Sequence, residues 1–255
     1  MSSKIEFYNK ISPNVGLNTL GKTKLIIGNF MDVFVNPPAP TIPIPSGYTF
    51  YLKFENNFND EGGLYSPTAY GNLGFVAGKQ GQALNSPSDG NDYIDIAPLD
   101  FQTFSISFWW KYQTTTSRFF AEDYTASGNS TSSGVYAGRY VDNVLLFETP
   151  NGYDFGRVSF DPVAEGMVVG EWYHLTMVSD GTTNINKIYL NAVEKDSATR
   201  PASINYSAYT GRSSNFLINT YFYTGASNTN TMDEFVHYPR VLTPQEITDI
   251  YNAQK

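Results

Sequence analysis

Two histidines, no cysteine and 24 acidic residues limit what this 255-residue chain can do chemically. His174 and His237 are its imidazoles, and each sits within an alternating strand-like run, so both read as structural. Without cysteine there is no thiol nucleophile and no disulfide, and the redox compartment stays open. The more numerous chemical resource is tyrosine, with 19 copies. Tyr124 and Tyr136 flank a Ser/Thr/Gly loop, and Tyr153 sits in Asn151-Gly152-Tyr153-Asp154. Tyr206, Tyr209, Tyr221 and Tyr223 cluster late in the chain. An aromatic face ringed by hydroxyls and amides can stack on a sugar ring and bond its edges. Tyr124, Tyr136, Tyr153, Tyr209 and Tyr223 are therefore candidate ligand contacts. The same residues serve equally as ordinary sheet-face tyrosines, and polar loops of this kind suit a protein partner as well as a glycan.

Such loops need strands to hold them. In the stretch 171–191, Trp172, His174, Thr176 and Val178 alternate with Tyr173, Leu175 and Met177, and Ile188 and Leu190 alternate with Lys187, Tyr189 and Asn191. Side chains change face at each strand residue, so this predicts a hairpin with one buried face, turning after Asp180-Gly181. Phe104, Ile106, Phe108 and Trp110 against Ser105, Ser107, Trp109 and Lys111 predict another half-buried strand. Further strands are predicted from about Tyr48, at 93–96, 135–139, 144–148, 157–160, 216–221 and 234–238. The run 122–134 is too polar to enter a core and reads as a surface loop. Thr243-Pro244-Gln245-Glu246 predicts a helix start, with Ile247, Ile250 and Tyr251 on one face to dock it. Strands at this spacing with one terminal helix predict an all-β, two-sheet antiparallel sandwich over residues 48–255.

Residues 1–36 form a separate opening segment, whose run 24–35 reads as a strand. It is either an extra edge strand or an arm that attaches the protein to a partner. Residues 37–47 hold enough proline to make an extended linker. A net charge of −8 argues against nucleic acid as a partner and gives no attraction to anionic lipid. No run has the roughly 20 apolar residues of a membrane-spanning helix, and the first residues carry no continuous apolar leader.

Several pieces, in order, resemble the laminin G-like, concanavalin A-like jelly-roll domains. They are Leu52-Lys53-Phe54-Glu55 with Asp60 and Gly62, Gly78-Lys79-Gln80-Gly81-Gln82-Ala83-Leu84, and the strand Phe104 to Lys111. Trp172 with His174, Ile188 to Asn191, and Met232-Asp233-Glu234-Phe235 through Tyr238, Arg240, Thr243 and Glu246 complete the likeness. Asn191-Ala192 and Tyr238-Pro239 depart from the usual turn residues. The resemblance implies recognition of carbohydrate or protein. It also implies a structural calcium joining the opening and closing strands, with Asp233, Glu55 and Asp60 as its acids. Hydrolases on this fold carry alternating acids on one strand, because retaining glycoside hydrolysis needs two carboxylates about 5–5.5 Å apart. Glu122-Asp123 and Asp142…Glu148 have the wrong spacing for that motif, so no catalysis is expected. A lectin-like fold without a leader predicts a bacteriophage virion protein, made in the host cytoplasm and displayed on the particle. Residues 1–36 would attach this head fibre, decoration protein or tail-associated adhesin to other virion proteins, and the sandwich would bind host-surface glycan. A homotrimer is compatible with this. A ligand-free structural particle protein and a polysaccharide-acting enzyme or accessory domain remain alternatives.

Overall fold

The computed structural model describes residues 23–27, 31–35, 44–87, 92–97, 99, 102–114, 117–122, 135–139, 144–149, 156–200, 215–219 and 229–255. The chain separates into two compact units, Met1–Ile42 and Pro43–Lys255, with the division inside the proline-dense run. In the first unit β1 (Thr23–Ile27) pairs antiparallel with β2 (Met31–Val35), Thr23 facing Val35 and Ile27 facing Met31. The run 24–35 is thus two strands where the sequence predicts one. In the sequence the turn-favouring residues Gly28 and Asn29 fall between them, and residues 28–30 lie outside the described residues.

The second unit is the sandwich. It begins with β3 (Phe50–Leu52), β4 (Thr68–Tyr70), β5 (Gly74–Ala77), β6 (Gln82–Ser86), β7 (Tyr93–Ile96) and β8 (Phe104–Lys111). Next come β9 (Ser117–Glu122), β10 (Tyr136–Arg139), β11 (Leu145–Glu148), β12 (Val158–Phe160) and β13 (Trp172–Asp180). It closes with β14 (Ile185–Leu190), β15 (Val193–Thr199), β16 (Phe216–Ile218), β17 (Asn230–Tyr238) and α1 (Pro244–Gln254). One sheet has the order β12-β11-β10-β9-β16-β7-β4, and the other β15-β14-β13-β8-β17-β6-β5, with β3 also paired to β17. All of these pairings are antiparallel. Between the sheets lies one core. Phe108, Trp110, Leu175, Met177 and Phe235 from the eight-stranded sheet meet Ile94, Phe120, Ala137, Phe147 and Phe216 from the other.

The predicted hairpin is present as β13 and β14. The half-buried prediction for β8 and β13 holds for the inward face but fails for the outward one. Ser105, Ser107, Trp109, His174 and Thr176 are buried too. The reason is α1, which lies on that outer face. Its Ile247 and Ile250 pack with Tyr51, Val178, Tyr189, Val236 and Tyr238 in a second apolar cluster. The helix begins as the sequence predicts. Thr243 Oγ1 accepts from Glu246 N at 3.2 Å while Glu246 Oε2 accepts from Thr243 N at 2.9 Å, a reciprocal cap. Arg240 grips the same carboxylate at 2.7 Å and, with the cap, holds the Glu246 pKa down at about 2.

Candidate functional site

Cross-strand register on the outer face of the eight-stranded sheet defines two neighbouring rows. In the first, Asp233 of β17, Trp109 of β8 and His174 of β13 stand side by side. The last turn of α1 covers them. Tyr251 stacks on Trp109 at 5.7 Å between ring centroids, and Trp109 Nε1 donates to Gln254 Oε1 at 3.1 Å. Gln254 Nε2 in turn donates to Glu234 Oε2 at 3.0 Å, and the Tyr51 hydroxyl bonds the same oxygen. Lys79 Nζ lies 4.4 Å from the Trp109 ring centroid. His174 Nε2 shares a 2.8 Å hydrogen bond with Ser107 Oγ. Burial keeps this imidazole neutral, with its pKa lowered to about 3. Ser107 and His174 resemble a nucleophile–base pair, but both are fully buried beneath the helix, where no substrate reaches them.

Asp233 and Glu234 sit at a bulge in β17, where Glu234 takes a φ of 55°. Asp233 Oδ2 accepts from Lys79 N and Gln80 N at 2.8 and 2.9 Å, and Oδ1 accepts from Glu234 N at 2.9 Å. A Cβ on Gly78 would stand 2.6 Å from Asp233 Oδ2, so this turn needs glycine there to close over the acid. Burial outweighs the three amide bonds and pushes the Asp233 pKa up to about 7. Burial pushes Glu234 to about 7 as well.

Two residues further along the same strands the helix has ended. Here Lys111 of β8 faces Trp172 of β13, and Thr231 of β17 faces Asn85 of β6. The pair Met232–Trp110 next to them places Thr231 beside Lys111, so Asn85, Thr231, Lys111 and Trp172 form one row. Thr231 Oγ1 and Asn85 Oδ1 are 3.3 Å apart. Asn85, Lys111 and Trp172 keep partial exposure. A cleft of about 500 Å³ opens at these strand ends, lined by Asn85, Lys111, Thr231, Gln113 and Val169 among others. Its floor is fixed where Gly170 N donates to Tyr112 O at 2.8 Å and Tyr112 N to Glu171 O at 2.9 Å. The volume falls in the range of small-ligand sites. Lys111 is the charged side chain among the described lining residues.

The residues singled out in the sequence that are described lie elsewhere. Tyr136 is 1% exposed and packs with Ala121 and Leu146, so its ring offers no face to solvent. Strand alternation alone could not reveal that its outward side is also covered. Tyr124, Tyr153, Tyr206, Tyr209, Tyr221 and Tyr223 lie outside the described residues. Of the three acids, Asp233 and Glu55 meet at the turn 78–81. Glu55 Oε2 accepts from Gln82 N at 3.2 Å, and a Cβ on Gly81, where φ is +44°, would collide with the Glu55 carboxylate. Asp60 is engaged in its own loop, accepting from the amides of Tyr51, Gly62, Leu64 and Tyr65 at 2.9–3.2 Å. A calcium ion needs oxygen donors pointing inward, whereas these carboxylates already face N–H donors. Among the described residues no three His, Cys, Asp or Glu side chains gather around one point. As placed, Asp233, Glu55 and Asp60 do not fit the ion as one donor set. Lys111 and Trp172 were visible in the sequence as residues of two alternating strands. What joins them to Asn85 and Thr231 is register.

The family described as the concanavalin A-like lectin/glucanases superfamily matches residues 88–248. No curated protein matches the chain. Among solved structures, the receptor binding domain of botulinum neurotoxin C/D mosaic serotype is similar with a TM-score of 0.63 at 13% identity, over 82% of this chain and 51% of that one. Domain 4 of AbnA, an extracellular arabinanase from Geobacillus stearothermophilus in complex with arabinotriose, gives 0.54 at 22% identity, over 80% and 98%. The binding domain of botulinum neurotoxin DC in complex with SialylT gives 0.62 at 16%, over 82% and 52%. The chain therefore spans about half the length of these neurotoxin domains and nearly all of the arabinanase domain. At these identities the likeness establishes the fold.

Proposed function

We propose, for a chain that belongs to the concanavalin A-like lectin/glucanases superfamily, that it is a non-enzymatic glycan-recognition protein binding sugar at the open row. The observation that carries this reading is the row itself. A half-buried indole, an ammonium, a hydroxyl and an amide stand in line beside a cleft of about 500 Å³. An indole face covers the apolar side of a pyranose, while amide, hydroxyl and ammonium groups bond its hydroxyls. The arabinotriose complex of the arabinanase domain and the SialylT complex of the neurotoxin domain support the reading by analogy. Against hydrolysis, the buried acids Asp233 and Glu234 are 0% and 4% exposed, and the described cleft lining presents no carboxylate.

The wider setting in this proposal is a bacteriophage particle. The unit Met1–Ile42 attaches the protein to other virion proteins, the proline-rich stretch spaces it, and the sandwich faces host-surface glycan. The test is a pull-down of the purified chain on bacterial cells and on isolated envelope polysaccharide. Saturable capture that free sugar competes away supports the adhesin reading. Absence of binding to every envelope fraction and glycan replaces it with a ligand-free particle protein, and steady release of reducing ends overturns the non-enzymatic assignment. Deleting residues 1–36 should abolish particle association and leave the sandwich folded; association that survives the deletion refutes the attachment role.

A further inference from the structure

We propose that the open row selects sugars bearing a carboxylate, with Lys111 pairing the acid and the Trp172 indole supporting the ring. This rests on the glycan reading and narrows it to one chemical class. Three observations carry it. First, Lys111 is the charged group among the described cleft residues, and it makes no ion pair among the described residues. Most other lysines of the sandwich are engaged: Lys53 with Glu61, Lys187 with Glu194, Lys195 with Glu165, and Lys79 over Trp109. On a chain of net charge −8, an ammonium in a cleft with no ion-pair partner among the described residues has its counter-ion position available to a ligand.

Second, the neighbours of Lys111 are uncharged donors and acceptors, Thr231, Asn85 and Gln113, which suit the hydroxyls beside an acid group. Third, one cation matches one monoanion. A densely sulfated or phosphorylated polymer brings several charges to a chain of net charge −8 with one cation among the described cleft residues, whereas a single carboxylate per sugar is neutralised where it docks. Trp172 lies directly across the β8–β13 pair from Lys111, within reach of the same sugar ring.

The test is an array of matched neutral, carboxylated and sulfated glycans probed with the full chain. The best carboxylated binder is then titrated as the free acid and as its methyl ester. The expected result is that carboxylated glycans bind best and that esterification weakens binding about tenfold. Lys111→Gln, a substitution at a partly exposed strand end, should close the gap between acid and ester. Its unfolding midpoint checks that the fold is intact. Preferential binding of neutral or sulfated glycans overturns this inference and leaves glycan recognition standing. So does an acid-to-ester ratio that Lys111→Gln does not change. Failure of the unsubstituted chain to bind any glycan overturns both.

Discussion

The covered row and the open row lie on the same face of the same sheet, two residues apart along β8, β13 and β17. Both are polar, and both contain an indole. Under α1, Trp109, His174 and Asp233 are buried, and the bonds of Gln254 to Trp109 and Glu234 tie the helix to the sheet. Past the end of the helix, Trp172, Lys111 and Asn85 keep contact with solvent. Residue type therefore does not distinguish the covered polar row from the open one. The position of one eleven-residue helix does.

Removing the cover is the strongest way to break that contrast. Ile250→Ala deletes a fully buried side chain from the helix–sheet cluster and should cost about 3 kcal/mol, read as a lower urea midpoint. If the covered row is structural, sugar binding at the open row should persist in whatever fraction remains folded.

Acidity sharpens the contrast next. Asp233 has a folded pKa near 7, above its unfolded value of about 4, so the folded state binds more protons between these limits. The stability it contributes is fully present below about pH 4 and is lost as pH rises through 7. Glu234 has the same sign. His174 and His237, lowered to about 3, act oppositely: their contribution is present above about pH 6.5 and is lost as pH falls toward 3. Asp233→Asn removes one acid from this balance. The stability advantage of the natural chain over this variant should shrink by roughly 2 kcal/mol between pH 5 and pH 8, measured by urea denaturation across that range. A constant difference would mean the carboxylate is not held protonated by burial.

A smaller effect is expected in the core. The His237 ring is stacked between Phe50 and Phe104, at 5.5 and 5.9 Å, with neither ring nitrogen hydrogen-bonded among the described residues. His237→Phe replaces an unpaired buried polar ring by an apolar one. It should stabilise the fold by about 1 kcal/mol and soften acid unfolding, as thermal melts at pH 5 and 7.5 would show. The smallest effect concerns calcium. With amides already on Asp233 and Asp60, millimolar calcium should leave the melting temperature within about 1 °C, and a rise of several degrees would reinstate the ion as a brace.

The local parts of this architecture were legible in the sequence because they depend on neighbours. The β13–β14 hairpin follows from alternation, and the helix start follows from Thr243, Pro244 and Glu246. Asp233 was recognisable as a residue of consequence, although its partners turned out to be amide hydrogens of the turn 78–81. The open row was not legible. Asn85, Lys111, Trp172 and Thr231 come from four strands far apart in the chain, and only strand order and register make them neighbours. The same blindness misplaced Tyr136, whose residue type and loop-side position promised exposure while packing with Ala121 and Leu146 removes it. Periodicity reports which residues share a face; it does not report what later covers that face.

The most direct test of the central claim is the indole N–H spectrum of the three tryptophans during titration with a bound glycan. The indole of Trp109 is tied to Gln254 and that of Trp110 to Asn230, both in the buried structure, while Trp172 stands in the open row. The account predicts that the Trp172 signal shifts saturably and that those of Trp109 and Trp110 stay in place. Saturable glycan binding with an unmoved Trp172 signal would contradict it and place the sugar elsewhere on the molecule.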